Sequence, residues 1–128
     1  LFLDELPEFK QNTIEILRGF DEIANVLDVA AQNVGYDIEV ITKDGTHKYF
    51  EVKSVDNIGA PFSMTNNEFS AAVQYKEKYY LAIVNQSDNY IEICFISDPI
   101  NSLNMTKRVT KWEWYCNSYD GNYTKYIV

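Results

Sequence analysis

The chain is poor in the residues that build disulfide frameworks and thiolate metal sites. Of its 128 residues, two are cysteine and one is histidine. No C-x-x-C spacing occurs, and one histidine with so few thiols excludes a zinc site made of Cys and His ligands. We expect Cys94, in a strand-like run, and Cys116 to be buried free thiols in a reducing compartment, with a Cys94–Cys116 disulfide as the alternative.

Long apolar runs are also absent. None approaches the roughly 20 residues of a membrane-spanning helix. The first seven residues carry early acidic side chains and no basic segment, which argues against a secretory signal peptide. These absences predict a cytoplasmic protein that does not bind membranes. The length predicts a single domain over residues 1–128, and the missing initial Met suggests a fragment or module of a larger protein.

Positive charge is scarce. The chain has eleven Lys and Arg and nineteen Asp and Glu, which gives a formal net charge of −8. Affinity for nucleic acid depends largely on cationic side chains that neutralise phosphates. The domain alone should therefore bind DNA poorly unless its basic residues cluster. The densest basic segment contains Lys107, Arg108 and Lys111, at the start of an aromatic C-terminal extension over residues 107–128.

The hydrophobic pattern predicts an α/β domain. Helices are expected over residues 7–18 and from Thr65 to about Lys76, and strands over residues 36–42, 47–54, 79–85 and 90–96. The run 79–85 is almost wholly apolar, which favours a central position in the sheet. Residues 21–29 fit either a helix or a short strand over 26–29, and we favour the helix.

The strand over residues 47–54 carries a candidate site. Side chains alternate along a strand, so Glu51 and Lys53 share one face with Tyr49, while Phe50 and Val52 share the other and are expected in the core. A lone buried carboxylate is costly, so Glu51 needs an exposed face, a partner or a metal ion.

The turn before this strand decides whether Asp37 can join Glu51. A two-residue Asp44-Gly45 loop would put Asp37 on the opposite face from Glu51. A three-residue loop over 43–45, with Gly45 in a left-handed bulge, pairs 42 with 46 and places Asp37 across from Glu51. The functional hypothesis therefore predicts the three-residue loop.

In that register two carboxylates and an amine converge. Asp37 and Glu51, with the Val52 carbonyl, could hold Mg²⁺ or Mn²⁺ through hard oxygen ligands. Lys53 would orient or deprotonate water, or offset charge on a phosphate, and we favour the electrostatic role. The simpler interpretation is that Asp37 only ends a turn and that Glu51 and Lys53 form a solvated pair of little energetic value.

Two further residues lie in the helix that follows. Thr65-Asn66-Asn67-Glu68 reads as a capping box, with Thr65 at the N-cap and Glu68 at the third helical position, and capping alone accounts for Glu68. Gln74 is a candidate catalytic residue that could point into the site or into solvent.

Four segments together resemble the NO VEIN C-terminal domain family, in residues, order and spacing over about 30–99. They are Gly35-Tyr36-Asp37-Ile38, Tyr49-Phe50-Glu51-Val52-Lys53, Pro61-Phe62-Ser63-Met64-Thr65-Asn66-Asn67-Glu68 and Tyr79-Tyr80-Leu81-Ala82-Ile83-Val84. That family looks like a branch of the PD-(D/E)xK nuclease superfamily. The resemblance implies a restriction-endonuclease-like fold, with a central mixed β-sheet flanked by helices, and magnesium-dependent DNA cleavage. It also implies attachment to a helicase, an ATPase or a restriction subunit.

Residue by residue, the resemblance carries Asp37, Glu51 and Lys53 as site residues, and less directly Glu68 and Gln74. Superfamily members often have a further acidic residue on an upstream helix, for which Glu15 and then Glu22 are the candidates. The leading function is a metal-dependent DNA endonuclease module of a defence or DNA-processing protein, and a homodimer is possible. The rivals are a non-catalytic interaction module and a sensor that binds nucleic acid without cutting it.

The aromatic extension allows two interpretations. Trp112 or Trp114 could stack on nucleic-acid bases. We favour ordinary packing of these rings on the core of the domain.

Overall fold

The structure is a computed structural model, and it describes residues 6–57, 59–109, 114–118, 122 and 124–127. Lys111, Trp112, Tyr119 and Tyr123 of the aromatic extension lie outside the described residues. From residue 107 onward the described side chains are exposed, Trp114 among them. The expected packing of the extension on the core is therefore not seen in this described part.

The described part of the chain contains three α-helices and five β-strands. In chain order they are α1 (Glu8–Arg18), β1 (Ile23–Asp28), β2 (Ile38–Thr42), β3 (His47–Ser54), α2 (Asn66–Tyr75), β4 (Tyr79–Gln86), β5 (Ile91–Ser97) and α3 (Pro99–Ser102). Short 3₁₀ turns at Ala30–Gln32 and Lys76–Lys78 precede β2 and β4. Helix α1 agrees closely with the helix predicted over residues 7–18, with Pro7 at its N-cap and Gly19 at its C-cap.

The strands form a mixed sheet in the order β1-β2-β3-β4-β5. Strands β1, β2 and β3 are antiparallel neighbours, β3 and β4 are parallel, and β5 is antiparallel to β4. The parallel step needs a crossover connection, which α2 supplies. The predicted α/β fold with a central mixed sheet and flanking helices is confirmed. The apolar strand β4 is an interior strand, next to the central β3.

The preferred helix over residues 21–29 is wrong, because this segment forms β1. Its backbone pairs with β2 from Ile23↔Thr42 to Asp28↔Ile38, with an irregularity between Ile23 and Asn25. Only Val26 of the strand is buried. Ile23, which is partly buried, packs against the same core as Val26, and the segment is a strand because its backbone hydrogen-bonds to β2.

Two cores cover the two faces of the sheet. Phe50 and Val52 of β3 belong to the core that includes residues of α1, such as Ile14 and Leu17. Tyr49 packs with the opposite core, which includes Ala71 and Ala72 of α2. The predicted division of β3 into a core face with Phe50 and Val52 and a second face with Tyr49 is confirmed, and the second face is covered by a helix.

Both cysteines are free, which agrees with the favoured interpretation, but both are exposed and the predicted burial is wrong. Cys94 lies on β5, which has no neighbouring strand on its outer side in the described sheet. Among the described residues, no helix combines the length and apolar character needed to cross a membrane.

Candidate functional site

The β2–β3 hairpin has the register that the functional hypothesis requires. Its pairs run from Ile38↔Phe50 to Ile41↔His47. At the turn, Thr42 N–H donates to Thr46 O at 2.9 Å, and Gly45 N–H donates to Thr42 O at 2.9 Å. Gly45 has φ +87°, the left-handed conformation that glycine adopts without strain. The three-residue loop is thereby confirmed, and continuing this register by one residue beyond Ile38↔Phe50 places Asp37 opposite Glu51.

A close contact with α2 fixes the segment just before Asp37. Gly35 has φ +92°, and a Cβ at this position would lie 2.7 Å from both Ala71 Cβ and Asn67 O. The Gly35 carbonyl also accepts a hydrogen bond of 2.8 Å from the hydroxyl of buried Tyr79. Glycine is needed here for both conformation and space, and the contact holds the start of β2 against the helix.

The Asp37 carboxylate is held at both oxygens. Val52 N–H donates to Oδ2 at 2.9 Å, and Lys10 Nζ donates to Oδ1 at 3.0 Å. The Asp37 main chain joins the same strand, because its N–H donates to Phe50 O at 2.9 Å. Asp37 therefore connects α1, through Lys10, with the strand that carries Glu51 and Lys53.

Glu51 is buried beside other carboxylates. Its residue is 6% exposed. Burial, followed by the negative charges of Asp37 and Glu68, raises the pKa of the Glu51 carboxyl to about 8. Protonated Glu51 donates a hydrogen bond to the Glu68 carboxylate, which also raises the pKa of Glu51, and Lys53 opposes the shift. At neutral pH most Glu51 carboxyls therefore carry a proton when no cation is bound.

Lys53 and Glu68 join β3 to the first turn of α2. Lys53 Nζ lies 2.6 Å from Glu68 Oε1 and 3.5 Å from Glu51 Oε2. Thr65 and Glu68 form the predicted capping box, with Thr65 N–H donating to Glu68 Oε1 at 3.0 Å. Burial acts to raise the pKa of Glu68, but the hydrogen bonds from Lys53 and the Thr65 N–H outweigh it, so the pKa is lowered. The capping residue is therefore an ionised member of the site.

The hydroxyl of Tyr79 responds to the whole cluster. Burial is the largest cause of its raised pKa, and the charges of Glu51, Glu68 and Asp37 raise it further. These three carboxyl groups thus act on one buried tyrosine. Against them stand two ammonium groups, those of Lys10 and Lys53.

The other predicted candidates are exposed side chains. Gln74 is exposed on α2, whereas Ala71 and Ala72 are the buried residues of that helix. Its catalytic role stays a prediction. Glu15 pairs with Arg18 on the exposed surface of α1, and Glu22 is exposed before β1. The residue by which α1 reaches the cluster is a cation, Lys10, which sequence reasoning missed because nothing in the motif predicts which residues of α1 approach Asp37.

The donor set suits a hard divalent cation. Asp37 and Glu51 offer carboxylate oxygens, and Val52 offers main-chain oxygen on the same strand as Glu51. Mutual repulsion of the carboxylates contributes to the raised pKa of Glu51, and a cation would relieve this repulsion. Within the described ranges no group of three or more His, Cys, Asp and Glu side chains is arranged to hold a metal. A cation here would therefore keep several water or substrate oxygens, as Mg²⁺ commonly does.

Comparison with known protein families gave a match over most of the chain. The family model described as "Protein NO VEIN, C-terminal" matches residues 8–96. This range begins at α1 and ends within β5, so it includes all of the residues that form the cluster. Searches of curated proteins and of solved structures found no significant match.

Proposed function

The chain belongs to the family described as Protein NO VEIN, C-terminal, and from this premise we propose that the domain is a metal-dependent DNA endonuclease module. The observation that carries the proposal is the meeting of Asp37, Glu51 and Lys53 at β2 and β3, with Asp37 bonded to the Val52 N–H between the other two. Two carboxylates beside an ammonium suit phosphodiester hydrolysis with a divalent cation. Membership of the PD-(D/E)xK superfamily is part of this proposal.

Asp37, Glu51 and the Val52 carbonyl would hold Mg²⁺ or Mn²⁺. When bound, the cation would polarise the phosphate and lower the pKa of water. The chain contributes orientation, because Val52 N–H and Lys10 Nζ each donate a hydrogen bond to the Asp37 carboxylate. Glu51 must first lose the proton that its raised pKa retains, so we expect metal binding to release a proton at neutral pH.

Lys53 would act on the phosphate by its charge. The Lys53 side chain is 18% exposed, and its ammonium contacts both Glu51 and Glu68. A cation fixed in this way would offset the negative charge that grows on the phosphate during hydrolysis, at no reorganisation cost. The hydrogen bond to Glu68 keeps Lys53 in position from the cap of α2.

The acidic balance of the chain suggests that DNA is held with help from another part of a larger protein. The net charge is −8, and the described basic residues of the C-terminal extension include exposed Lys107 and Arg108. We therefore propose an attached or associated helicase, ATPase or restriction subunit in a cytoplasmic defence or DNA-processing protein, with a homodimer as one possible assembly.

Nicking of supercoiled plasmid in Mg²⁺ tests the catalytic proposal. We expect the wild type to nick the plasmid and Lys53→Met to nick it at least about 100-fold more slowly, a typical loss for one electrostatic group. Lys43→Met is the matched control, because Lys43 is exposed in the hairpin turn. Equal rates for wild type and Lys53→Met would contradict the role of Lys53.

A second candidate is a non-catalytic module that binds a protein partner or nucleic acid. It is favoured by the internal neutralisation of the cluster, because Asp37 is paired with Lys10, and Glu68 with Lys53. Such a cluster can be stable without a metal. Filter binding measures DNA affinity, and calorimetry measures Mg²⁺ binding. If the protein binds DNA but binds no Mg²⁺ at millimolar concentration, this candidate is supported over the nuclease.

A further inference from the structure

Lys10 occupies an unusual place for a cation. It is the third residue of α1, after the Pro7 N-cap, Glu8 and Phe9. The N-terminal turn of a helix carries partial positive charge, so a lysine here is unfavourable for the helix itself. Its ammonium instead donates a hydrogen bond of 3.0 Å to Asp37 Oδ1. The compensating interaction is therefore with the candidate site.

The Lys10–Asp37 pair is largely withdrawn from solvent. The Lys10 side chain is 22% exposed and the Asp37 side chain 12%. Water screens such a pair less than a surface pair, and removal of one partner leaves the other charge buried and uncompensated. Lys10 thus supplies the positive charge beside the Asp37 carboxylate.

The same oxygen atom is part of the proposed metal-binding group. An ammonium next to Asp37 Oδ1 repels a divalent cation that approaches the same carboxylate. Lys53 pairs with Glu68 at 2.6 Å and with Glu51 at 3.5 Å, whereas the ion pair of Asp37 is with Lys10. Asp37 and Glu68 are therefore paired with different lysines.

We propose that Lys10 is a built-in counter-ion of Asp37, which holds this carboxylate when no metal is bound and is displaced by a divalent cation. The inference rests on the proposed metal site and adds a means of regulating it. Lys10 sets the cation concentration at which the site fills, and it keeps Asp37 oriented below that concentration. Neutralising Lys10 should therefore tighten divalent-cation binding while destabilising the metal-free protein.

Calorimetric titration with Mg²⁺ alone, or with Mn²⁺ alone, tests this exchange. We expect Lys10→Met to bind either cation at least about tenfold more tightly than wild type, because the competing charge is gone. Lys10→Arg keeps the charge and should bind like wild type. The matched control is Arg18→Met, which removes the exposed Arg18–Glu15 pair from the same helix and should leave the affinity unchanged.

The outcomes separate this inference from the proposed function. If wild type binds the cation and Lys10→Met binds it with equal or lower affinity, the inference is overturned and the proposed metal site stands. If neither wild type nor Lys10→Met binds the cation at millimolar concentration, both the proposed metal site and the inference are overturned. Lys10→Gln carries the same expectation and replaces Lys10→Met if that variant does not fold.

Thermal melting gives a second readout. A displaced counter-ion predicts that Lys10→Met melts below wild type without cation and recovers most of the difference at saturating Mg²⁺. A residue that only positions Asp37 would leave the variant less stable under both conditions, and that result would contradict the exchange.

Discussion

Lys53 and Glu68 form an ion pair of 2.6 Å that joins the strand of the candidate site to the N-terminus of α2. The Glu68 oxygen that accepts from Lys53 also accepts from Thr65 N–H and so completes the helix cap. One carboxylate therefore stabilises a helix and orients an ammonium of the site. The capping and functional interpretations of Glu68 are compatible.

The two roles of Glu68 can be separated by mutation. Thr65→Ala removes the cap alone and should lower the free energy of unfolding by about 1 kcal/mol, with the pKa of Glu51 unchanged. Glu68→Gln keeps an amide that can cap the helix but removes the negative charge, so the pKa of Glu51 should fall. Urea unfolding and carboxyl-detected NMR titration measure the two effects. An unchanged pKa of Glu51 in Glu68→Gln would contradict the coupling.

Glu51 makes the stability of the metal-free protein depend on pH. Burial first, and then the charges of Asp37 and Glu68, raise its pKa to about 8 from 4.5, so the folded state holds a proton that the unfolded state releases. This stabilisation is complete below about pH 4.5 and is lost as the pH rises through about 8. Relative to Glu51→Gln, wild type should lose roughly 2–4 kcal/mol of unfolding free energy between pH 4.5 and pH 9.

Urea unfolding of wild type and Glu51→Gln across that range measures the difference. Because Gln does not titrate, the variant acts as the reference for all other groups. A constant difference between the two proteins from pH 4.5 to pH 9 would mean that Glu51 has an ordinary pKa and is not buried among carboxylates.

Gly35 should be intolerant of a side chain. Gly35→Ala combines a positive φ with 2.7 Å approaches to Ala71 Cβ and Asn67 O, so it should cost at least about 2 kcal/mol. Gly45→Ala is the control, because Gly45 also has a positive φ but an added Cβ would meet nothing within 4 Å, and it should cost about 1 kcal/mol. Thermal or urea unfolding compares them. Equal losses would show that the contact with α2 is not tight.

Sequence reasoning was most reliable where local chemistry determines the structure. Gly45 allowed either a two-residue or a three-residue hairpin loop, and the requirement that Asp37 meet Glu51 selected the three-residue loop, which the register confirms. The Thr65 and Glu68 capping box depends on residues three apart, so it could also be predicted. The alternation along β3 separated Glu51 from Phe50 because a strand has a period of two.

Contacts between distant segments could not be predicted in this way. Residues 21–29 have helical spacing but pair with β2, and only the tertiary structure offers that edge. The Lys10–Asp37 pair joins residues 27 positions apart, and it depends on how α1 crosses the sheet. Cys94 was expected to be buried from its apolar neighbours, but the edge position of β5 leaves it exposed.

The central claim is that Asp37 and Glu51 jointly bind one divalent cation, and calorimetric titration with Mg²⁺ at pH 9, where Glu51 is ionised, tests it most directly. We predict one site in wild type, and we predict that Asp37→Asn and Glu51→Gln each bind Mg²⁺ at least about 100-fold more weakly. Asp44→Asn, which alters an exposed carboxylate of the hairpin turn, should bind like wild type. No binding by wild type at millimolar Mg²⁺, or undiminished binding by Asp37→Asn, would contradict the account.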